Sequence, residues 1–352
     1  MINKENDNFS FLDVARGIAI FLVVVAHSFV PEIRSNNKVF GTMFSWIASC
    51  DMAIFTVLSG YLFGKNIDRY KDRGLLTFVK QKFQTLIIPY LSVSIITYIG
   101  FAIAHQFPFL SAILSNSGYD APEFWRSVFQ ILTYQGNMDM HMWFAYALFF
   151  VFAFSFLLSG LIRRPIGIAV TAVLFVLNYY VITIEVLYRV FYLWIFFTIA
   201  CQDRLIDTVL KKKYLFAVIP VHIITYIIRH SGVLVPFRVA DALLAMVVGL
   251  SAAIMVLSIT KNFLHSPANR VLSFLGKNSF SIYLLHQPFI VSGISGILLF
   301  ATDLPYIVIC VVTIILGITI PLFLSEKIIS KSMILQKLIL GKQSPAGSRS
   351  GG

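Results

Sequence analysis

Charge is scarce in this sequence. Asp, Glu, Lys and Arg make up 12% of its 352 residues, about half the roughly 25% of an average soluble domain. Hydrophobic residues make up 58%. A water-soluble chain of this size would have too little polar surface to cover its core, so the apolar surplus needs lipid as its solvent. Acidic residues are the scarcest charged class: 16 against 28 Lys and Arg, for a net charge of +12. On a soluble protein that excess would suggest nucleic acid. Here the 33 Phe lie inside apolar runs rather than beside exposed basic residues. No nucleic-acid partner is expected, and the positive charge reads as a topology signal.

Cysteine is also sparse. Cys50, Cys201 and Cys310 show no CxxC spacing, which argues against a disulfide framework or a metal centre, so no metal is expected. There is no cleavable leader pattern: the first apolar segment contains Arg16 and His27 and lacks a small-residue cleavage site. No internal repeat of the secondary-transporter kind is evident. Residues 1–343 read as a single domain, and Ser344 to Gly352 as a flexible appended tail.

Long apolar runs are what the chain does have. Ten are long enough to span a bilayer, at roughly 11–30, 42–64, 84–104, 141–162, 165–184, 187–203, 214–230, 238–260, 279–300 and 304–326. Backbone groups in lipid must be satisfied internally, and runs of this length exclude a barrel. The expected fold is all-α, a polytopic transmembrane bundle of about ten spans. With the N-terminus in the cytoplasm, twenty-one of the 28 Lys and Arg fall inside and six outside (Arg34, Lys38, Arg126, Arg189, Arg229 and Arg238), with Arg16 within the first span. That bias puts both termini in the cytoplasm. The longest outside segment, His105 to Met140, carries Phe124, Trp125, Val128, Phe129 and Leu132 at helical spacing. It reads as a short interfacial helix.

The first span holds two costly residues. Arg16 and His27 are eleven positions apart, which is three helical turns plus about 20°, so they share a face. They stand roughly 16 Å apart along the axis. Arg16 lies toward the cytoplasm and His27 toward the outside, and Asp13 is placed to pair with Arg16. Intramembrane ionisable residues usually line a pathway or site; the alternative is an arginine snorkelling to headgroups and a packed histidine. Histidine is the natural base for a hydroxyl. An arginine fork suits phosphate. A donor with phosphates at one end and a reactive group some 15–20 Å away fits the pair, and acyl-coenzyme A has that form.

Four stretches also carry a resemblance. Leu12-Asp13-Val-Ala-Arg16-Gly17, followed by His27, resembles the opening signature of the integral-membrane acyltransferase family three. Phe55-Thr-Val-Leu-Ser59-Gly60-Tyr61 is similar to its Ser-Gly-aromatic motif. His141-Met-Trp143-Phe144 is similar to its His-Leu-Trp-Phe segment. Gly276-Lys277, followed by Tyr283-Leu-Leu-His286-Gln-Pro288, is similar to its last signature. The resemblance, to bacterial O-acetyltransferases of surface glycans of the fucose 4-O-acetylase-like kind, covers positions 11 to 288. It implies an O-acetyltransferase of the bacterial cytoplasmic (inner) membrane. Such an enzyme moves acetyl from acetyl-CoA to a hydroxyl of an extracytoplasmic glycan or lipid-linked sugar. His27 would be catalytic and Arg16 essential. Two stretches depart from the pattern. Lys80-Gln-Lys82 stands where relatives often carry arginines, and Cys50-Asp51-Met52-Ala53 where they often carry His-Met-Pro.

The remaining candidates follow. His286, with Tyr283 one turn before it, either serves the thioester and His27 or is a hydrogen-bonded core histidine. Asp51, costly in a span, is a further catalytic candidate and is expected to pair with a cation such as His27 or Arg189. Lys80 and Lys82 join Arg16 in binding the donor, with Ser59, Gly60 and Tyr283 beside it; Ser59-Gly60 serves equally well as close helix packing. Asp139, His141, Trp143 and Arg189 face the acceptor. Trp143 could instead be an interfacial anchor. Cys50 is either an acyl-carrying nucleophile or a buried inert thiol. Two rival functions remain: a transporter of an acylated metabolite or glycan, and a sensor that kept the fold without chemistry.

Overall fold

The computed structural model describes residues 10–116, 119–135, 137, 139–178, 180, 184–232, 238–263 and 268–342. The tail expected at 344–352 lies outside them. Every regular element among the described residues is helical. The first five are α1 (Phe11–Ser28), α2 (Pro31–Asn36), α3 (Lys38–Ala48), α4 (Asp51–Arg73) and α5 (Leu75–Lys82). A π-helical turn, Phe83–Ile87, leads into α6 (Ile88–Ala104), then α7 (Pro108–Asn116) and α8 (Phe124–Thr133). Next come α9 (Trp143–Leu157), α10 (Ser159–Ile162), α11 (Pro165–Asn178), α12 (Glu185–Ala200) and α13 (Asp203–Val209). The last are α14 (Lys212–His230), α15 (Arg238–Asn262), α16 (Ala268–Lys277), α17 (Ser279–Leu285), α18 (Val291–Ala301), α19 (Tyr306–Phe323) and α20 (Met333–Leu340).

Among the described residues, six helical stretches are long and apolar enough to cross a bilayer: Phe11–Ser28, Lys38–Arg73, Leu75–Ala104, Met140–Leu157, Arg238–Asn262 and Tyr306–Lys331. A seventh forms if α12 and α13, bent by 77°, count as one. α11 and α18 are apolar but shorter. Large side chains such as Phe216, Ile103 and Ile315 face outward, as they do where lipid replaces water. The chain is a multi-pass, all-helical membrane protein.

Helix geometry corrects two of the sequence boundaries. The segment expected at 42–64 is two helices, α3 and α4, meeting at Ser49 and Cys50, and α4 runs on to Arg73. Lys65, Arg69, Lys71 and Arg73 therefore lie on a helix rather than in a loop. The segment expected at 279–300 is broken between α17 and α18, where the Gln287–Pro288 bond is cis. Proline supplies no backbone donor there. Irregular backbone at membrane depth is tolerated where it is buried in protein or lines a cavity, and Gln287 and Pro288 both line one. The helix predicted around Phe124 to Leu132 is α8, with Phe124, Trp125, Phe129 and Leu132 exposed.

Glycines set the position of α1. A Cβ on Gly17 would stand 1.9 Å from the carbonyl oxygen of Leu272, and one on Gly276 would stand 1.7 Å from that of Asp13. α1 and α16 thus cross backbone to backbone, which requires small residues at the contact. Gly60 and Gly64 do the same for α4. Added Cβ atoms would meet the carbonyl oxygens of Phe197 at 2.4 Å and Cys201 at 2.6 Å, at the end of α12. Buried apolar residues of α1, α4, α9, α12 and α17 then fill the centre, among them Val23, Phe63, Val151, Phe197 and Ile282.

Candidate active site

Three histidines from three distant parts of the chain converge. His27 sits on the last turn of α1, His141 just before α9, and His286 at the end of α17. Ring centroids are 5.1 Å apart for His27 and His286, 5.1 Å for His141 and His286, and 6.5 Å for His27 and His141. The sequence predicted His27 and His286 at the reaction centre and His141 on the acceptor side; the fold makes them one cluster.

The hydrogen bonds of His286 assign its ring proton. His286 Nδ1 lies 3.0 Å from the carbonyl oxygen of Ile282 and 2.9 Å from that of Tyr283. Carbonyls only accept, so Nδ1 carries the proton. Its Nε2 is buried and has no hydrogen-bond partner among the described residues. His141 Nδ1 lies 2.6 Å from Asp139 Oδ1, and its Nε2 is likewise buried without a partner. An imidazole oriented by a carboxylate, with its other nitrogen free, is the arrangement that prepares a general base. Buried polar atoms without partners are unusual. Two such nitrogens stand in one cluster, placed to accept a hydrogen bond from a bound molecule or an ordered water.

Asp139 is itself held. Thr97 Oγ1 donates to its Oδ2 at 3.0 Å, and its backbone N–H donates to Asn137 Oδ1 at 3.0 Å. Asn137 Nδ2 in turn donates to the Tyr90 hydroxyl at 2.9 Å. Tyr283 fixes the other side. Its hydroxyl donates to the carbonyl of His141 at 2.9 Å and accepts from the Ala145 N–H at 3.2 Å. The Tyr283 hydroxyl, placed near the donor by sequence, is thus engaged in positioning His141.

The cluster opens on a cavity of about 510 Å³, large enough for a sugar-sized molecule. His27, Asp139, His141 and Gln287 line it beside the cluster, and Glu32, Arg34, Tyr119 and Ser292 add polar groups. Trp143 and Arg189 are not among its lining residues. They stack on each other, the Arg189 guanidinium 4.7 Å from the Trp143 ring, while Arg189 pairs with Glu185 at 3.6 Å.

Asp51 requires a correction. It pairs with neither His27 nor Arg189. As the first residue of α4, it accepts the Met52 N–H on Oδ1 at 2.6 Å. The backbone N–H groups of a helix's first turn have no partner within the helix, so this buried acid finds a hydrogen-bond donor where the sequence suggests a cation. The Cys50 thiol is buried and donates to the carbonyls of Trp46 and Ile47, each at 3.3 Å. His222, by contrast, uses both ring nitrogens. Nε2 accepts from Trp46 Nε1 at 3.0 Å, and Nδ1 lies 3.2 Å from Ser251 Oγ. It is a structural histidine.

At the opposite end of α1, Arg16 pairs with Asp13 at 2.9 Å and stays partly exposed. α1 is unbroken between Arg16 and His27, so their roughly 16 Å axial separation holds. Lys82 lies among aromatic rings, 3.7 Å from the Phe152 centroid and 5.6 Å from that of Phe78, whereas Lys80 is exposed. A further basic group clusters nearby: Lys65 and Lys261 reach Asp207 at 3.2 and 3.4 Å, and Tyr61 donates to it at 2.7 Å. Among the described residues no three His, Cys, Asp or Glu side chains are arranged to hold a metal ion.

A buried histidine cluster with free nitrogens, on a membrane bundle, above an arginine on the same helix, describes an intramembrane group-transfer enzyme. A family model described as an acyltransferase domain, of acyltransferase family 3, matches residues 9–325. The chain belongs to that family, and it is an acyltransferase. Comparisons with curated proteins and with solved structures give no match.

Proposed function

We propose that this protein is a membrane O-acetyltransferase that moves acetyl from cytoplasmic acetyl-CoA to a hydroxyl of an extracytoplasmic glycan or lipid-linked sugar. The observation that supports this reading best is the cluster of His27, His141 and His286, with two unpartnered nitrogens beside a sugar-sized cavity. The bundle of about ten spans with both termini in the cytoplasm is part of the same proposal and rests on loop charge; the bacterial inner membrane rests on the resemblance.

In this scheme Arg16 binds the donor's phosphates, with Lys80 and Lys82 beside it. The thioester arm follows α1 toward His27, the span an extended coenzyme A arm covers. A histidine takes the proton of the acceptor hydroxyl. The oxygen attacks the thioester carbonyl, the C–S bond breaks, and coenzyme A leaves as thiolate. His27 is the base or the acyl carrier. The contact between Asp139 and His141 favours His141 as a second base acting on the acceptor.

The test is acetyl transfer by purified protein in detergent. Labelled acetyl-CoA should be turned over with no membrane gradient. Turnover that depends on a sealed vesicle and a gradient would favour the transporter reading instead.

A further inference from the structure

The cavity contains a cation whose charge the protein leaves open. Arg34 lies on α2, six residues past the end of α1, and lines the cavity that His27 and His141 also line. Its guanidinium stacks on Phe44 at 4.2 Å. α2 is fixed in place: Ile33 is fully buried, and a Cβ on Gly41 of α3 would stand 2.9 Å from the Arg34 carbonyl oxygen.

Arg34 makes no ion pair among the described residues. Arg189 and Arg229, expected on the same side of the membrane, each have one, with Glu185 at 3.6 Å and Asp241 at 3.1 Å. Glu32 lines the cavity too, but residues two apart on a helix do not face each other. Asp139, which also lines the cavity, makes no ion pair with Arg34; it lies 2.6 Å from His141 and accepts from Thr97. Burial pulls the Arg34 guanidinium below its ordinary pKa; it stays charged all the same. A guanidinium held by its face against a ring keeps its N–H edge free. That edge matches a carboxylate or phosphate in two parallel hydrogen bonds.

We propose that Arg34 is an anion-recognition point in the acceptor cavity, so that the acceptor carries a carboxylate or phosphate on the molecule whose hydroxyl reaches His27. This rests on the acyltransfer reading in taking the cavity to be the acceptor's. It narrows the acceptor from any glycan to an acidic sugar or a sugar phosphate.

The test is calorimetric binding to the full-length protein in detergent, using glucose, glucuronate and glucose 1-phosphate as probes. Wild type should bind at least one charged sugar tenfold or more tighter than glucose. Preference for glucuronate identifies a carboxylate acceptor, and preference for glucose 1-phosphate a phosphate-bearing one. Arg34→Gln should erase the preference, Arg34→Lys should retain part of it, and Arg229→Gln should leave it intact. Thermal melting checks that each variant is folded. Equal binding of all three probes by wild type would overturn the proposal and leave Arg34 as an interfacial anchor. So would an Arg34→Gln variant that keeps the preference. Coenzyme A release is measured in parallel. An anion preference without any release would sink acyl transfer alone; release without a preference would sink the anion site alone.

Discussion

The Tyr283 hydroxyl donates to the backbone carbonyl of His141 at 2.9 Å, tying the end of α17 to the turn before α9. The same hydroxyl accepts the Ala145 N–H. Two of the three clustered histidines are therefore held in register by one buried phenol.

Tyr283→Phe removes that tie without opening a cavity. Losing a buried hydrogen bond costs about 1–3 kcal/mol where a partner is left unsatisfied. The melting temperature should fall modestly. kcat should fall about tenfold or more, because small misplacements of catalytic groups are expensive. The donor KM should hold, since Tyr283 serves His141. A variant in which only the donor KM changes would return Tyr283 to the donor site.

Asp139→Asn keeps the shape of the side chain and removes its charge beside His141. In carboxylate-oriented histidine systems such a change costs up to ~10⁴ in kcat. Here the expected loss is at least 100-fold on acetyl transfer to an acceptor, with the protein still folded. Full activity would show that His141 is not a base.

Gly17→Ala and Gly276→Ala drive a Cβ into facing backbone, and backbone cannot move as a side-chain tip can. Each should destabilise by about 1–3 kcal/mol or more, the usual cost of overpacking, read as a lower melting temperature in detergent. Gly160→Ala has nothing within 4 Å of the new Cβ and should be neutral or slightly stabilising. Equal melting of all three would disprove the close crossing of α1 and α16.

His222→Ala separates structural from catalytic histidines. It leaves the Trp46 indole N–H without its acceptor. The expected result is a loss of about 1–3 kcal/mol in stability with kcat within about twofold of wild type. A large kcat loss at unchanged stability would contradict the assignment.

Much of this was legible in the sequence because lipid makes polar residues conspicuous. Arg16 and His27 stood out as costs within an apolar run, and helical arithmetic aligned them on the unbroken α1. His286 stood out in the same way. The break at Gln287 and Pro288 was not foreseen, because an apolar run of adequate length reads as one helix whatever its backbone does. Asp51 has a backbone N–H where the sequence suggests a cation, because a helix N-terminus leaves no charge in the sequence. Arg34 was read as outer topology charge; only the cavity shows that it points inward. Thr97, Asn137 and Tyr90 gave no signal, since their role exists only once α6 packs beside Asp139. Gly17 and Gly276 lay within the recognised motifs, but a crossing of two helices far apart in sequence carries no local mark.

The most direct measurement is coenzyme A release from acetyl-CoA by purified wild type and His27→Ala in detergent, with thermal melting of both. The cluster's role predicts a fall of about 10² to 10⁴ in His27→Ala, the range for removing an acid–base group, at an unchanged melting temperature. Equal rates in the two proteins would contradict it.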